Sequence, residues 1–152
     1  MRKQINSIFV YLFFIACWIF FFYFYPYHLH YKEQITLCVL QPDFLQTYLQ
    51  KPAFLTEICG DYLTQFFLWT GGGSSILTLT FVFTWLGLRI ALRKTGITSH
   101  VSLWALLPIV AEWALSCHLE YPLSMSLGLM CSVWAFSLST LSTSTHTRGI
   151  LH

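Results

Sequence analysis

Charge is what this sequence has least of. Asp, Glu, Lys and Arg make up 9% of its 152 residues, whereas a soluble domain carries about 25%. A water-facing surface cannot be built from so few, so a soluble globular domain is excluded. The net charge of +2 is also too small for a footprint on DNA or RNA, which excludes a nucleic-acid partner. The five cysteines, Cys17, Cys38, Cys59, Cys117 and Cys131, include no CxxC pair. Zinc ribbons and thioredoxin-like redox motifs therefore lack their ligands. The sequence holds no phosphate-loop lysine after its glycine run, no internal repeat, and no pattern that calls for a metal or cofactor.

What the chain has instead is apolar bulk. Hydrophobic residues reach 56% and aromatic residues 18%, an enrichment that suits helices anchored at lipid–water interfaces. Residues 8–25 form an uncharged run near the minimum length for a ~30 Å hydrocarbon core. Arg2 and Lys3 precede it, as in a cleavable signal peptide. Aromatic bulk and Pro26 follow it, however, where a cleavage site would need small residues. Three further runs follow at residues 66–91, 101–117 and 123–141. The expected fold class is all-α: one integral membrane domain of four transmembrane helices. The Ser/Thr-rich residues 142–152 are expected to be disordered.

Residues 26–65 form the one long polar segment. Apolar residues recur through it at helical spacing, so it is not a linker. Pro42 and Asp43 make a helix start, and Pro52 ends that helix and opens another. In the second, Leu55, Ile58, Cys59, Tyr62 and Phe66 form an apolar stripe, with Glu57, Asp61 and Gln65 opposite. The pattern predicts two short amphipathic helices at the membrane surface.

Charge placement orients the bundle. Four spans put both termini on one side, together with Arg2, Lys3, Arg89, Arg93, Lys94 and Arg148. The other side keeps Lys32 and Lys51. The positive-inside rule makes the termini cytoplasmic, and the inner membrane of a bacterium is the expected location. The acids then gather at the outer face, with His28, His30 and His118.

Glu112 is the most informative single residue. A carboxylate within a span costs about 2.5–3.5 kcal/mol on insertion scales, so intramembrane acids mark candidate sites. The competing expectation is a side chain that reaches up to the headgroups or pairs within the bundle. Gly71, Gly72 and Gly73 lie at a similar depth, where small residues favour close helix packing or a kink over a ligand loop. If Glu112 faces inward, it joins Glu33, Gly71–Gly73 and His118 around an outward-facing polar cavity. His28 and His30 are interface anchors ahead of metal ligands, because their spacing matches no metal motif. Glu57 and Asp61 are a solvated face ahead of an acid pair. Cys17 and Cys131 are expected to be buried apolar side chains. Cys38 and Cys59 are both external, and a bridge between them would add ~3 kcal/mol if unstrained.

The segments Tyr27 to Gln34, Lys51-Pro52, Gly60 to Phe67, Gly71 to Gly73 and Glu120 to Leu123 together resemble an uncharacterised multi-span membrane family of Bacteroidales bacteria. The resemblance covers most of the chain from Tyr27 to about Met130. Members of that family are usually longer, which implies a truncated or minimal N-terminal part, and the family carries no established activity. The architecture also distantly resembles GT-C-type glycosyltransferases, which use lipid-linked sugars and place a large outer loop with a catalytic acid after the first span. That resemblance would make Glu33 the acid, but the usual Asp-containing motif is not clear in this sequence and most of the spans such an enzyme needs are absent from it.

Three functional readings follow. The leading one is a non-catalytic multi-pass protein that acts through helix packing and an acidic outer face. Its partners would be membrane lipids and either further copies of itself or other membrane subunits, with no cofactor. The second is a GT-C-like transferase, or a fragment of one, with Glu33 as acid. The third is a component of proton- or cation-coupled transport that uses Glu112.

Overall fold

The computed structural model describes residues 2–35, 46, 48–97 and 100–149. All regular structure among these residues is helical: α1 Arg2–Tyr23, α2 Pro26–Ile35, α3 Phe54–Thr64, α4 Gly72–Lys94, α5 Val101–Trp104, α6 Leu106–Ser116 and α7 Leu123–Gly149. A turn of 3₁₀ helix, Gln65–Leu68, joins α3 to the approach of α4. Three helices contain stretches long and apolar enough to cross a membrane: Asn6–Tyr23, Gly72–Lys94 and Leu123–Thr140.

Side-chain bonds between helices set their directions. Trp18, late in α1, donates Nε1 to Ser75 Oγ early in α4 at 3.1 Å, while the Phe14 and Trp85 rings meet further along at 5.9 Å. α1 and α4 are therefore antiparallel. Trp134 Nε1 of α7 donates to the Phe83 carbonyl of α4 at 3.2 Å, and one turn on Ser137 Oγ donates to the Gly87 carbonyl at 2.8 Å. α4 and α7 are therefore parallel, and the chain between them must return to the end where α4 began. Residues 101–116 make that return. Asn6, near the start of α1, is hydrogen-bonded to His100 at 3.0 Å. At the far end, Lys32 beyond α1 bonds the Ser116 carbonyl at 3.0 Å.

The returning segment is not one uniform helix. It breaks at Ala105 into α5 and α6. Pro108 accounts for the break: it has no N–H for the Trp104 carbonyl, and its ring crowds that carbonyl. As the third residue of α6, Pro108 falls where a helix needs no N–H partner. The sixteen residues Val101–Ser116 span ~24 Å as a helix, less than the ~30 Å hydrocarbon core.

Several boundaries differ from the sequence expectation. The second long helix starts at Gly72, not residue 66, because Gly71 takes a left-handed conformation at φ 82° and breaks the run. Residues 26–35, read as interface anchors, form α2 with Pro26 at its first position. α7 continues as helix to Gly149, into the Ser/Thr-rich tail. Of the two expected surface helices, the first falls largely outside the described residues. The second exists as α3, but it runs antiparallel along α7. A Cβ at Gly60 would come within 2.8 Å of the Ser124 backbone, and residues 52–56 share a crevice with Gly128, Cys131 and Ser132. Its small residues Gly60 and Thr64 face inward, whereas Leu55 and Tyr62 of the expected stripe are 64% and 48% exposed.

The core is aromatic and branched. Phe21, Phe81 and Ile109 have 0% exposure, with Phe14, Leu77 and Trp85 packed around them. Two buried hydroxyls of α4 are satisfied within the helix: Thr84 Oγ1 donates to the Thr80 carbonyl at 2.8 Å and Thr80 Oγ1 to the Ile76 carbonyl at 2.9 Å. Cys17 is buried, but Cys131 is exposed on α7. Cys131 lines the open crevice between residues 52–56 and α7, which leaves its thiol exposed and corrects the expectation of a buried one. Cys59 is exposed, and Cys38 lies outside the described residues, as does any bridge between them.

Candidate functional site

α6 decides where Glu112 points. Ala105, Ile109, Glu112 and Ser116 recur at intervals of four, three and four, so they share one helix face, and all four are buried. Leu107, Val110 and Leu115 on the other faces are exposed. Glu112 therefore faces the bundle at 2% exposure, and the expectation of a side chain reaching outward to headgroups does not hold. Neither carboxyl oxygen of Glu112 has a hydrogen-bond partner among the described residues. Ser126, fully buried on α7, lies beside the carboxyl. Its Oγ also lacks a partner, so the pair stops short of a hydrogen bond. Two unsatisfied polar groups at such a place each cost about 1–3 kcal/mol.

Lys32 closes this region from the α2 side. Its Nζ donates to the carbonyls of Ser116 and Tyr121, each at 3.0 Å. Ser116 is the last residue of α6, so the cation sits where the helix dipole is negative and carbonyls lack partners. Burial pulls the Lys32 ammonium below its ordinary value, and the neighbouring Cys117 opposes this. Burial likewise pushes the Tyr121 hydroxyl up; Ser126 opposes this and Glu112 adds to it. Lys32, Ser116, Tyr121, Ser126 and Glu112 thus form a polar track from α2 through the α6–α7 turn into the bundle.

The other expected site residues lie elsewhere. His118 is exposed in the α6–α7 turn. Glu33 lies in α2, with its side chain outside the described residues. The glycine run is a packing joint. A Cβ at Gly72 would lie 2.1 Å from the Phe66 carbonyl oxygen, and one at Gly73 would press on Leu29 at 3.0 Å and Phe67 at 3.1 Å. Gly71 and Gly73 border a crevice of about 200 Å³ with Phe22, Leu29, His30 and Phe67. Glu112 does not line that crevice. Two further acids of this end, Asp61 and Glu57, have structural partners. Asp61 accepts a hydrogen bond from Tyr48 at 2.5 Å, and Glu57 pairs with Lys51 at 2.6 Å.

Sequence reasoning missed Lys32, Tyr121 and Ser126. Lys32 offered one signal: it is the first charge after an aromatic span. Ser126 offered none, since one serine in an apolar run is as easily a packing residue.

By fold and composition this is a helical protein with three helices of membrane-crossing length. The chain belongs to a family described as Family of unknown function (DUF6057), whose match covers residues 1–152. No curated protein and no solved structure matches the chain.

Proposed function

We propose that the chain is a four-pass protein of a bacterial inner membrane, with both termini cytoplasmic, that acts without catalysis through helix packing and its outer end. Residues 101–116 serve as the short fourth pass, since they join the His100 end of the bundle to the Lys32 end. The observation that carries the non-catalytic reading is the state of the polar groups at the outer end. Lys32 ties two backbone carbonyls, Asp61 holds Tyr48, and Glu57 holds Lys51. These groups are committed to holding α2, α3 and the α6–α7 turn in place. Purification of the full chain from mild detergent tests the reading: a stable oligomer or a co-purifying membrane subunit is expected. Glycosyl transfer from a lipid-linked sugar by the purified chain, abolished by Glu33→Gln, would overturn it.

A specific observation favours a second reading, a proton or cation site at Glu112. Its carboxyl is buried, faces the bundle and has no hydrogen-bond partner among the described residues, and an intramembrane acid in that state marks a candidate ion pathway. In proteoliposomes this reading requires proton or cation flux that Glu112→Gln removes. Equal flux in wild type and variant would end it.

A further inference from the structure

At the opposite end of the bundle from Lys32, a cavity of about 420 Å³ opens between the start of α1, the end of α4 and the start of α5. Its wall includes Asn6, Ser7, Arg89, Arg93, His100 and Ser102. Ligand cavities typically span about 300–1,000 Å³, so this one has room for a headgroup-sized molecule. Among the described residues its lining holds two guanidinium groups and no acidic residue.

The arginines are placed by the fold. Trp85, Arg89 and Arg93 follow one another at intervals of four along α4 and so share one face. Trp85 is 6% exposed, and its Nε1 donates to the Ser102 carbonyl at 3.1 Å. That bond fixes the indole as a platform. The Arg89 guanidinium lies over it, 5.2 Å from the ring centroid, a cation–π arrangement. Arg89 Nε is buried without a hydrogen-bond partner among the described residues. Neither arginine has an acidic partner among the described residues, where the one ion pair is Lys51–Glu57. Asn6 and His100 close one side of the cavity through their 3.0 Å bond.

We infer that this cavity binds a phosphoryl group, with Arg89 as the principal ligand and Arg93 as the second. A guanidinium presents planar paired donors that match phosphate oxygens. A partly buried arginine with an unpaired Nε–H gains most from such a partner. Given the four-pass reading, on which this inference rests for its location, the cavity opens at the inner leaflet. Either an anionic phospholipid headgroup or a free phosphate could supply the group.

The test uses the full chain in neutral detergent micelles. Short-chain phosphatidylglycerol, short-chain phosphatidylcholine and inorganic phosphate are the probes, and thermal shift and native mass spectrometry are the readouts. Phosphatidylglycerol is expected to bind at least tenfold tighter than phosphatidylcholine. Arg89→Gln and Arg93→Gln should each weaken that binding by roughly tenfold, the loss expected for a charge-assisted contact. Arg89→Lys should recover part of it. Lys94→Gln, an equal loss of charge outside the cavity, should change it less than about twofold. Arg93 is exposed, so its variant keeps the test open if Arg89→Gln fails to fold. Displacement of the lipid by inorganic phosphate would assign the site to a free phosphate, and retention of the lipid would assign it to a headgroup. No preference for phosphatidylglycerol over phosphatidylcholine together with no phosphate binding would overturn the inference, as would equal losses in Lys94→Gln and Arg89→Gln. Binding in micelles does not depend on orientation, so a failed topology would leave this result standing.

Discussion

The Ser137 hydroxyl donates to the main-chain carbonyl of Gly87 at 2.8 Å, across the seam between α4 and α7. The bond forms because Gly87 has no side chain. A Cβ there would come within 2.8 Å of Val133 Cγ1, and small residues are what let two helices approach this closely in lipid. Gly87→Val should therefore force the helices apart and lower stability by about 1–3 kcal/mol, as overpacking does. Ser137→Ala should cost only ~0.6 kcal/mol, the usual worth of one interhelical bond in a membrane. Unfolding in micelles would measure both. A Gly87→Val variant as stable as wild type would mean that the seam is not packed as described.

Lys32 offers a test of the outer end. Lys32→Met keeps most of the stem but leaves the Ser116 and Tyr121 carbonyls without their donor. The expected loss is about 1–3 kcal/mol, with earlier proteolysis in the α6–α7 turn. Lys32 also has a pH signature. Burial holds its ammonium below the ordinary 10.5, so just under that pH the unfolded chain binds more protons than the folded one. Its contribution to stability therefore rises with pH across that window. The same window holds an opposite contribution from Tyr121, whose hydroxyl is pushed up by burial. The difference in slope between wild type and Lys32→Met isolates the lysine. Equal slopes would show that Lys32 titrates as it does in water.

The glycine joint before α4 makes a graded prediction. Gly71 sits at φ 82°, where an added Cβ costs about 1–2 kcal/mol. Gly72 meets the harder obstacle, since its Cβ would lie 2.1 Å from a backbone oxygen. Gly71→Ala should lower stability moderately, and Gly72→Ala should lower it more and reduce yield. Gly128 has open space around it, so Gly128→Ala should be neutral or slightly stabilising, because Ala is the better helix former. The reverse order would contradict the described joint.

Topology can be read in intact cells. A single cysteine at Gln46 or Gln50 in a cysteine-free background should react with a membrane-impermeant maleimide. One at Lys94 should not, because the basic cluster marks the cytoplasmic side. Labelling at position 94 from outside would reverse the orientation, and with it the leaflet assigned to the Arg89 cavity.

Much of the helical framework was legible in the sequence because membranes impose one-dimensional rules. A lipid-facing helix must be apolar over its whole length, so residues 8–25 and 123–141 could be marked from composition, close to the observed Asn6–Tyr23 and Leu123–Thr140. Two of the boundaries that shifted were set by one residue's backbone: the left-handed turn at Gly71 and the break imposed by Pro108. α2 was missed because its residues have no dominant face, and a short helix with no amphipathic signal cannot be told from an aromatic anchor.

Sequence by itself determined that this is a chain of apolar helices with few charges, and that Glu112 is an acid within an apolar run. Those properties depend on residue identity and chain order. Tertiary structure alone decided that Glu112 turns into the bundle beside Ser126, that Lys32 caps α6 from a different helix, and that Arg89 lies on Trp85 beside a cavity. Each of these depends on how helices far apart in sequence are rotated and paired. Periodicity gives the angle between residues on one helix, but it does not say which way that helix faces its neighbours.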